Sequence, residues 1–187
     1  MAGRSVNGVE ADGRLAPPTG ERLELLKSLG FGELEHDSHV PFVSHLIGTR
    51  RLLGSWGGRD ALCDAGLFHS VYGTEYFQPD RTPERDEVVA VIGADAERVA
   101  WLWCAIRRDT IDPERRCVRL RHDGASEPLT EAEVGDLATL WAADTVEQIE
   151  RMAPDERAFS GGLESVISAA LPPAQDAVGA IAGLIAR

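Results

Sequence analysis

Apolar positions recur at steps of three and four along most of this chain, the spacing of one helix face after another. Over 38–57, Phe42, Leu46, Thr49, Leu53 and Trp56 form such a face. Ser38 and Pro41 suit its start and Gly57-Gly58 its end. His45 lies at the edge of that face, one turn before Thr49. The next segment, 61–72, carries Leu62, Ala65, Gly66, Leu67, Phe68 and His69 and is apolar nearly all round, which predicts the central helix of the fold. Ala65 and Gly66 are small enough to let a neighbouring helix approach closely. A histidine inside the most apolar helix is the main departure from a plain core pattern.

Elsewhere the pattern is again helical. Thr19 caps a short helix with Leu23, Leu25, Leu26 and Leu29, stopped by Gly30. Thr82-Pro83-Glu84 opens a helix through Val91, and after Gly93 a further helix runs over 96–108 with Val99, Trp101, Leu102, Trp103 and Ile106. The run Cys117-Val118-Arg119-Leu120-Arg121 alternates instead and meets Asp123-Gly124, so either a small β-hairpin or an extended loop is expected near 115–126. Thr130-Glu131-Ala132-Glu133 is a capping box that opens a long helix through Val134, Leu137, Leu140, Trp141, Asp144, Ile149 and Met152. Two helices, 161–171 and 173–186, close the chain. Asp144 shares the inward face of Leu137 and Leu140, where an unpaired carboxylate costs several kcal/mol, so it needs a partner. The expected organisation is a flexible tail over 1–18 and a single all-α domain over 19–187.

Composition narrows the functional classes. The 187 residues have room for one domain with a substantial core. Apolar residues at 43 % and charged residues at 27 % are the balance of an ordinary globular protein. No apolar run approaches the ~20 residues of a membrane helix. The opening MAGRSVNGVEADGR lacks the apolar stretch of a secretory signal, so a cytoplasmic protein is expected. A net charge of −12 repels phosphate backbones and argues against nucleic-acid binding, while a local basic pocket can still take a small anion. Cys63, Cys104 and Cys117 form no CxxC pair, which argues against a zinc knuckle and a disulfide framework. Cys63 and Cys104 read as buried thiols. The sequence leaves the oligomeric state open.

Two histidines on consecutive apolar helices and an aspartate on a later one have the make-up of a three-ligand metal site. Imidazole nitrogens and a carboxylate oxygen from His45, His69 and Asp144 suit a divalent Zn, Mn, Fe or Ni ion, with positions left open for water or a small-molecule substrate. Each residue also has an ordinary reading. His69 can be a core histidine bonded to Asp144 or a carbonyl, His45 a partly buried helix-edge residue, and Asp144 the ion-pair partner of Arg50 or Arg51. Around them, His39 falls in the turn before the first strong helix and can line a pocket mouth. Tyr72 lies one turn beyond His69 and can hydrogen-bond a ligand, and Glu75 can act as general base or as a supporting carboxylate. Tyr72 and Glu75 read equally well as an ordinary solvated turn. The tryptophans read as core.

The string Ala65-Gly66-Leu67-Phe68-His69-Ser70 resembles the "AALLHD" helix of the HD-domain superfamily, in particular that of the alarmone hydrolases of the stringent response. A histidine-led helix precedes it there, as 45–57 does here, and a final aspartate comes from a late helix, as in Leu140-Trp141-Ala142-Ala143-Asp144. The resemblance covers roughly residues 36–150. It implies an HD-like orthogonal helical bundle, a divalent metal on His45, His69 and Asp144, proton transfer by Glu75 or His39, and hydrolysis of a phosphoester, which is an anionic substrate. The dyad is His69-Ser70 where the superfamily has His-Asp. Where the alarmone hydrolases carry an acidic pair, this chain has Val71-Tyr72-Gly73-Thr74, with Glu75 one place later. Two alternatives follow. One resembles inositol oxygenase, an iron enzyme activating dioxygen, with extra ligands from His36, His39 or His122. The other is a non-catalytic HD-like domain retained for ligand binding or interaction, which the Ser70 departure favours. The strings HLIGTRRLLGSWG (45–57) and AGLFHSVYGTE (65–75) also resemble those of a bacterial protein family that implies no activity.

Overall fold

The segment with the most apolar pattern lies at the centre. In the computed structural model, which describes residues 18–32, 41–149, 151 and 162–185, residues 62–70 are buried without a break. The elements are α1 (Gly20–Ser28), α2 (Phe42–Ser55), α3 (Asp60–Phe68), α4 (Arg85–Ile92), α5 (Ala94–Ala105), β1 (Ile106–Asp112), β2 (Cys117–Leu120), β3 (Ser126–Pro128), α6 (Glu131–Gln148) and α7 (Pro172–Ile185). α3 packs against α2, α4, α5 and α6, and α2 also packs on α6. Residues 1–17 of the tail expected over 1–18, the Ser38 start signal, His36, His39 and Met152 lie outside the described residues.

Gly66 sets the α2–α3 distance. A Cβ there would fall 2.3 Å from Leu53 Cδ1 and 3.6 Å from Thr49 Cγ2, so the small residue is what lets α2 lie against the central helix. Trp103 and Trp141 meet edge-on with centroids 6.4 Å apart in the interior, as a core reading expects. Thr130 and Glu133 form the capping box at the start of α6. The start of α4 lies slightly later than Thr82-Pro83, because Glu84 and Glu87 form a capping box of their own.

Two stretches differ from the expected all-helical pattern. α5 ends at Ala105, and Ile106 turns into extended backbone to begin β1. The structure is therefore mostly helical with one small antiparallel sheet, ordered β1-β2-β3, in which Ile106 pairs with Leu120 and Val118 with Glu127. Ile106, Thr110 and Ile111 are β-branched and favour extended backbone. A two-stranded hairpin near 115–126 would also be marginal alone, and β1 supplies the third strand. The helix expected over 161–171 is instead two 3₁₀ turns, Leu163–Ser165 and Ile167–Ala169, before α7. Leu171 precedes Pro172, a position that disfavours helical backbone and separates these turns from α7. Among the described residues no helix is long and apolar enough to cross a membrane.

Replacing Gly66 by valine should force Leu53 out of a fully buried position and lower unfolding stability by about 1–3 kcal/mol, measured as a shifted urea midpoint at constant slope.

Candidate metal centre

His45, in the first turns of α2, His69, at the C-terminal cap of α3, and Asp144, on α6, meet in the interior. His45 Nε2 lies 3.2 Å from His69 Nε2 and 3.2 Å from Asp144 Oδ1, and His69 Nε2 lies 3.4 Å from the same oxygen. All three side chains are buried. The last turn of a helix leaves carbonyls without intrahelical partners. His69 Nδ1–H uses one of them, donating to the Gly66 carbonyl at 2.7 Å. That bond occupies Nδ1 and turns Nε2 toward the other two donor atoms.

Glu147 does for His45 what the Gly66 carbonyl does for His69. Its Oε2 is 2.5 Å from His45 Nδ1 and 2.6 Å from Arg151. It stands three residues after Asp144 on α6, so both carboxylates face α2. A Cβ on Gly48 would fall 2.8 Å from Glu147 Cγ, so this glycine makes room for the carboxylate beside His45. Asp144 completes its own set with Gln148 Nε2, donating to Oδ1 at 3.1 Å, and Arg108 NH1, 3.4 Å from Oδ2. Arg108 is buried on β1 with its guanidinium 3.9 Å from the Trp103 ring centroid.

A divalent ion at about 2.0–2.2 Å from each ligand separates them by about 2.8–3.1 Å in octahedral and about 3.3–3.6 Å in tetrahedral geometry. The observed separations of 3.2, 3.2 and 3.4 Å fall between the octahedral values and the middle of the tetrahedral range, and each donor atom has a partner that aims it. The cluster can hold a metal ion. Metal-free, the same three atoms are satisfied by one proton on His45 Nε2. Burial alone would push the His45 pKa down, but the hydrogen bonds and charges of Asp144 and Glu147 overcome it and raise it to about 9. Burial alone would push Asp144 up, but its bonds to His45 and His69 and the Arg108 charge hold it well below the usual carboxylate range.

Of the other candidates, Glu75 comes to the rim. Its Oε2 accepts from the Arg108 backbone N–H at 3.4 Å and lies 4.0 Å from Arg108 Nε. Tyr72 donates its hydroxyl to Glu97, which also holds Arg85 through two 2.6 Å bonds. His122 lies exposed between β2 and β3, 3.0 Å from Asp123. Ser70, at the place of the superfamily's aspartate, is buried. Sequence reasoning missed Glu147 and Arg108. The Asp144-x-x-Glu147 spacing on one helix face was a usable signal for the first. The second was hidden because 106–108 reads as a helix end. Asp144 pairs with Arg108 rather than with Arg50 or Arg51, and Arg50 meets Asp64 at 3.4 Å.

A family model described as a domain of unknown function (DUF6817) matches residues 25–108. That stretch carries His45, His69, Glu75 and Arg108 and ends before α6. No curated protein and no solved structure matches the chain.

The metal-free site has a pH signature. The raised His45 pKa contributes stability that is whole below its ordinary value of 6.5 and is lost as pH rises through about 9, an effect on the order of 3 kcal/mol. The depressed Asp144 pKa contributes stability present above its ordinary value of 3.8 and lost as pH falls below that. Chelator-treated protein should therefore lose thermal stability between pH 6.5 and 9, and protein with excess Mn(II) should not. A flat melting temperature in both samples would count against the shared proton.

Proposed function

We propose that this protein is a metal-dependent enzyme on an HD-like helical scaffold that hydrolyses a phosphoester of a small molecule. The observation that carries the metal is the convergence of His45 Nε2, His69 Nε2 and Asp144 Oδ1 at mutual distances of 3.2–3.4 Å, each oriented from behind. The phosphoester rests on the resemblance to HD-domain proteins.

When bound, a divalent ion supplies a Lewis acid and lowers the pKa of a coordinated water toward neutrality. The remaining roles belong to the chain. Glu147 holds His45 with Nε2 directed at the ion, and the Gly66 carbonyl does the same for His69. Arg108 and Gln148 fix the Asp144 carboxylate. Glu75, the half-exposed carboxylate at the rim, is the group placed to take up a proton. The oxygenase alternative needs further ligands, and His122 is turned to solvent, paired with Asp123. Mn, Fe, Zn and Ni all suit this donor set.

Elemental analysis of purified protein should find close to one divalent ion per chain, and the ion should disappear in a His69→Ala, Asp144→Ala double variant. A well-folded wild type with neither bound metal nor affinity for added Mn or Fe would instead point to the non-catalytic binding domain. Glu147→Ala should keep the fold and weaken metal affinity roughly 10–100-fold by chelator competition. Phosphate release from a panel of small phosphoesters should need the metal and fall sharply in Glu75→Gln.

A further inference from the structure

Several arginine–carboxylate pairs in this protein are close. Arg22 reaches Asp64 at 2.6 Å, Arg85 reaches Glu97 at 2.6 Å, Arg98 reaches Glu127 at 2.7 Å and Arg151 reaches Glu147 at 2.6 Å. These are ordinary lengths for charge-assisted bonds. Arg108 is far more buried than Arg85 or Arg151, and its pair is longer, as is that of the buried Arg50 with Asp64 at 3.4 Å. Its nearest carboxylate oxygens are Asp144 Oδ2 at 3.4 Å and Glu75 Oε2 at 4.0 Å. Its Nε–H has no hydrogen-bond partner among the described residues, nor does Nε1–H of Trp103, the ring on which the guanidinium stacks. A buried guanidinium with unused donors is costly. Two orphaned donors on stacked side chains, next to a cluster able to hold a cation, are the complement of an absent acceptor.

We propose that Arg108 receives an oxyanion of the substrate on its guanidinium, beside the cluster of His45, His69 and Asp144. This rests on the metal-centre reading above and adds the residue that selects for anionic substrates. The charges agree with it. Asp144 and Arg108 cancel, Glu147 is offset by Arg151, and a divalent ion would outweigh the remaining charge of Glu75 inside a protein of net charge −12. An entering oxyanion displaces the 4.0 Å contact of Glu75, which is too long for a hydrogen bond and cheap to give up. Phosphate and carboxylate share the required chemistry, and the planar fork of arginine can hold either through paired bonds.

The test uses the full chain at Mn(II) occupancy matched by elemental analysis, titrated calorimetrically with inorganic phosphate in one arm and acetate in the other. Wild type should bind at least one of them. Arg108→Met should bind it at least tenfold more weakly and Arg108→Lys several-fold more weakly, the lysine keeping the charge but losing the fork. Preference between the arms assigns the anion as phosphate or carboxylate. Failure of any sample to take up Mn would overturn the metal-centre reading, and this proposal with it. Mn-loaded wild type that binds neither anion, or binds as tightly with methionine at 108, overturns the role of Arg108 and leaves the metal centre standing. If Arg108→Met does not fold, the lysine variant and the wild-type titrations decide the matter.

Discussion

A carboxylate in the middle of a helical core needs opposite charge and hydrogen-bond donors in every direction, and Asp144 obtains them from four elements. His45 comes from α2, His69 from the end of α3, Arg108 from β1, and Gln148 from one turn along α6. Desolvation is the largest influence acting on Asp144 and opposes its charge, yet the partners together outweigh it. A charge stabilised in this way is stable only while all its partners stay in place. The elements that carry them are therefore held in a mutual arrangement that hydrophobic packing alone would leave looser. Gly66 and Gly48 belong to the same constraint. One brings α2 close enough to α3 for the imidazoles to meet, and the other leaves space for Glu147 behind His45.

The parts of this centre legible in the sequence were polar residues on otherwise apolar stripes. His69 stands out in a segment buried from 62 to 70, and Asp144 stands out between Trp141 and Gln148, because a period of 3.6 residues assigns both to the core. Glu147 was harder to see, since a glutamate on a helix normally reads as its solvated face. Only the position of α2 shows that this face is covered. Arg108 was misplaced because Ala105-Ile106-Arg107-Arg108 continues a helical apolar pattern, and what ends the helix is pairing with β2, a contact between residues distant in sequence. A reading from local periodicity finds the residues that break a pattern. It does not find those whose environment is made by a distant strand.

The small sheet has a positional role. Its first strand carries Arg108 into the core next to Trp103, and its second is followed by Arg121, which bonds the carbonyls of Cys104, Thr74 and Gly73 at 2.7, 3.1 and 3.2 Å. Arg121 thereby ties the loop after α3 to the junction of α5 and β1. That loop presents Glu75 and the exposed Tyr76, whose ring lies 5.3 Å from the Arg108 guanidinium. Thr74 stiffens it further by accepting from the backbone of Tyr76 and Phe77. The rim of the site is thus built from sheet and loop, while its floor is helical. This division matches the general tendency of variable chemistry to sit on loops held by a rigid frame.

A metal ion held by the two imidazoles and the carboxylate would compete with a proton for the same place. With a His45 pKa of about 9, expelling that proton at pH 7 takes roughly 3 kcal/mol from metal binding. Structural zinc sites reach about 10–16 kcal/mol, a range in which such a proton cost is modest. The orientation of His69 bears on the same balance. Its Nδ1 is bonded to the Gly66 carbonyl, so Nε2 is the nitrogen that faces inward. Only His45 pays, and Glu147 stays hydrogen-bonded to its Nδ1 in either state. A purely structural histidine–aspartate pair would need only one imidazole. The second imidazole, with Nε2 turned toward the first and Nδ1 bonded behind, is a feature that a cation would use and an ion pair would not need.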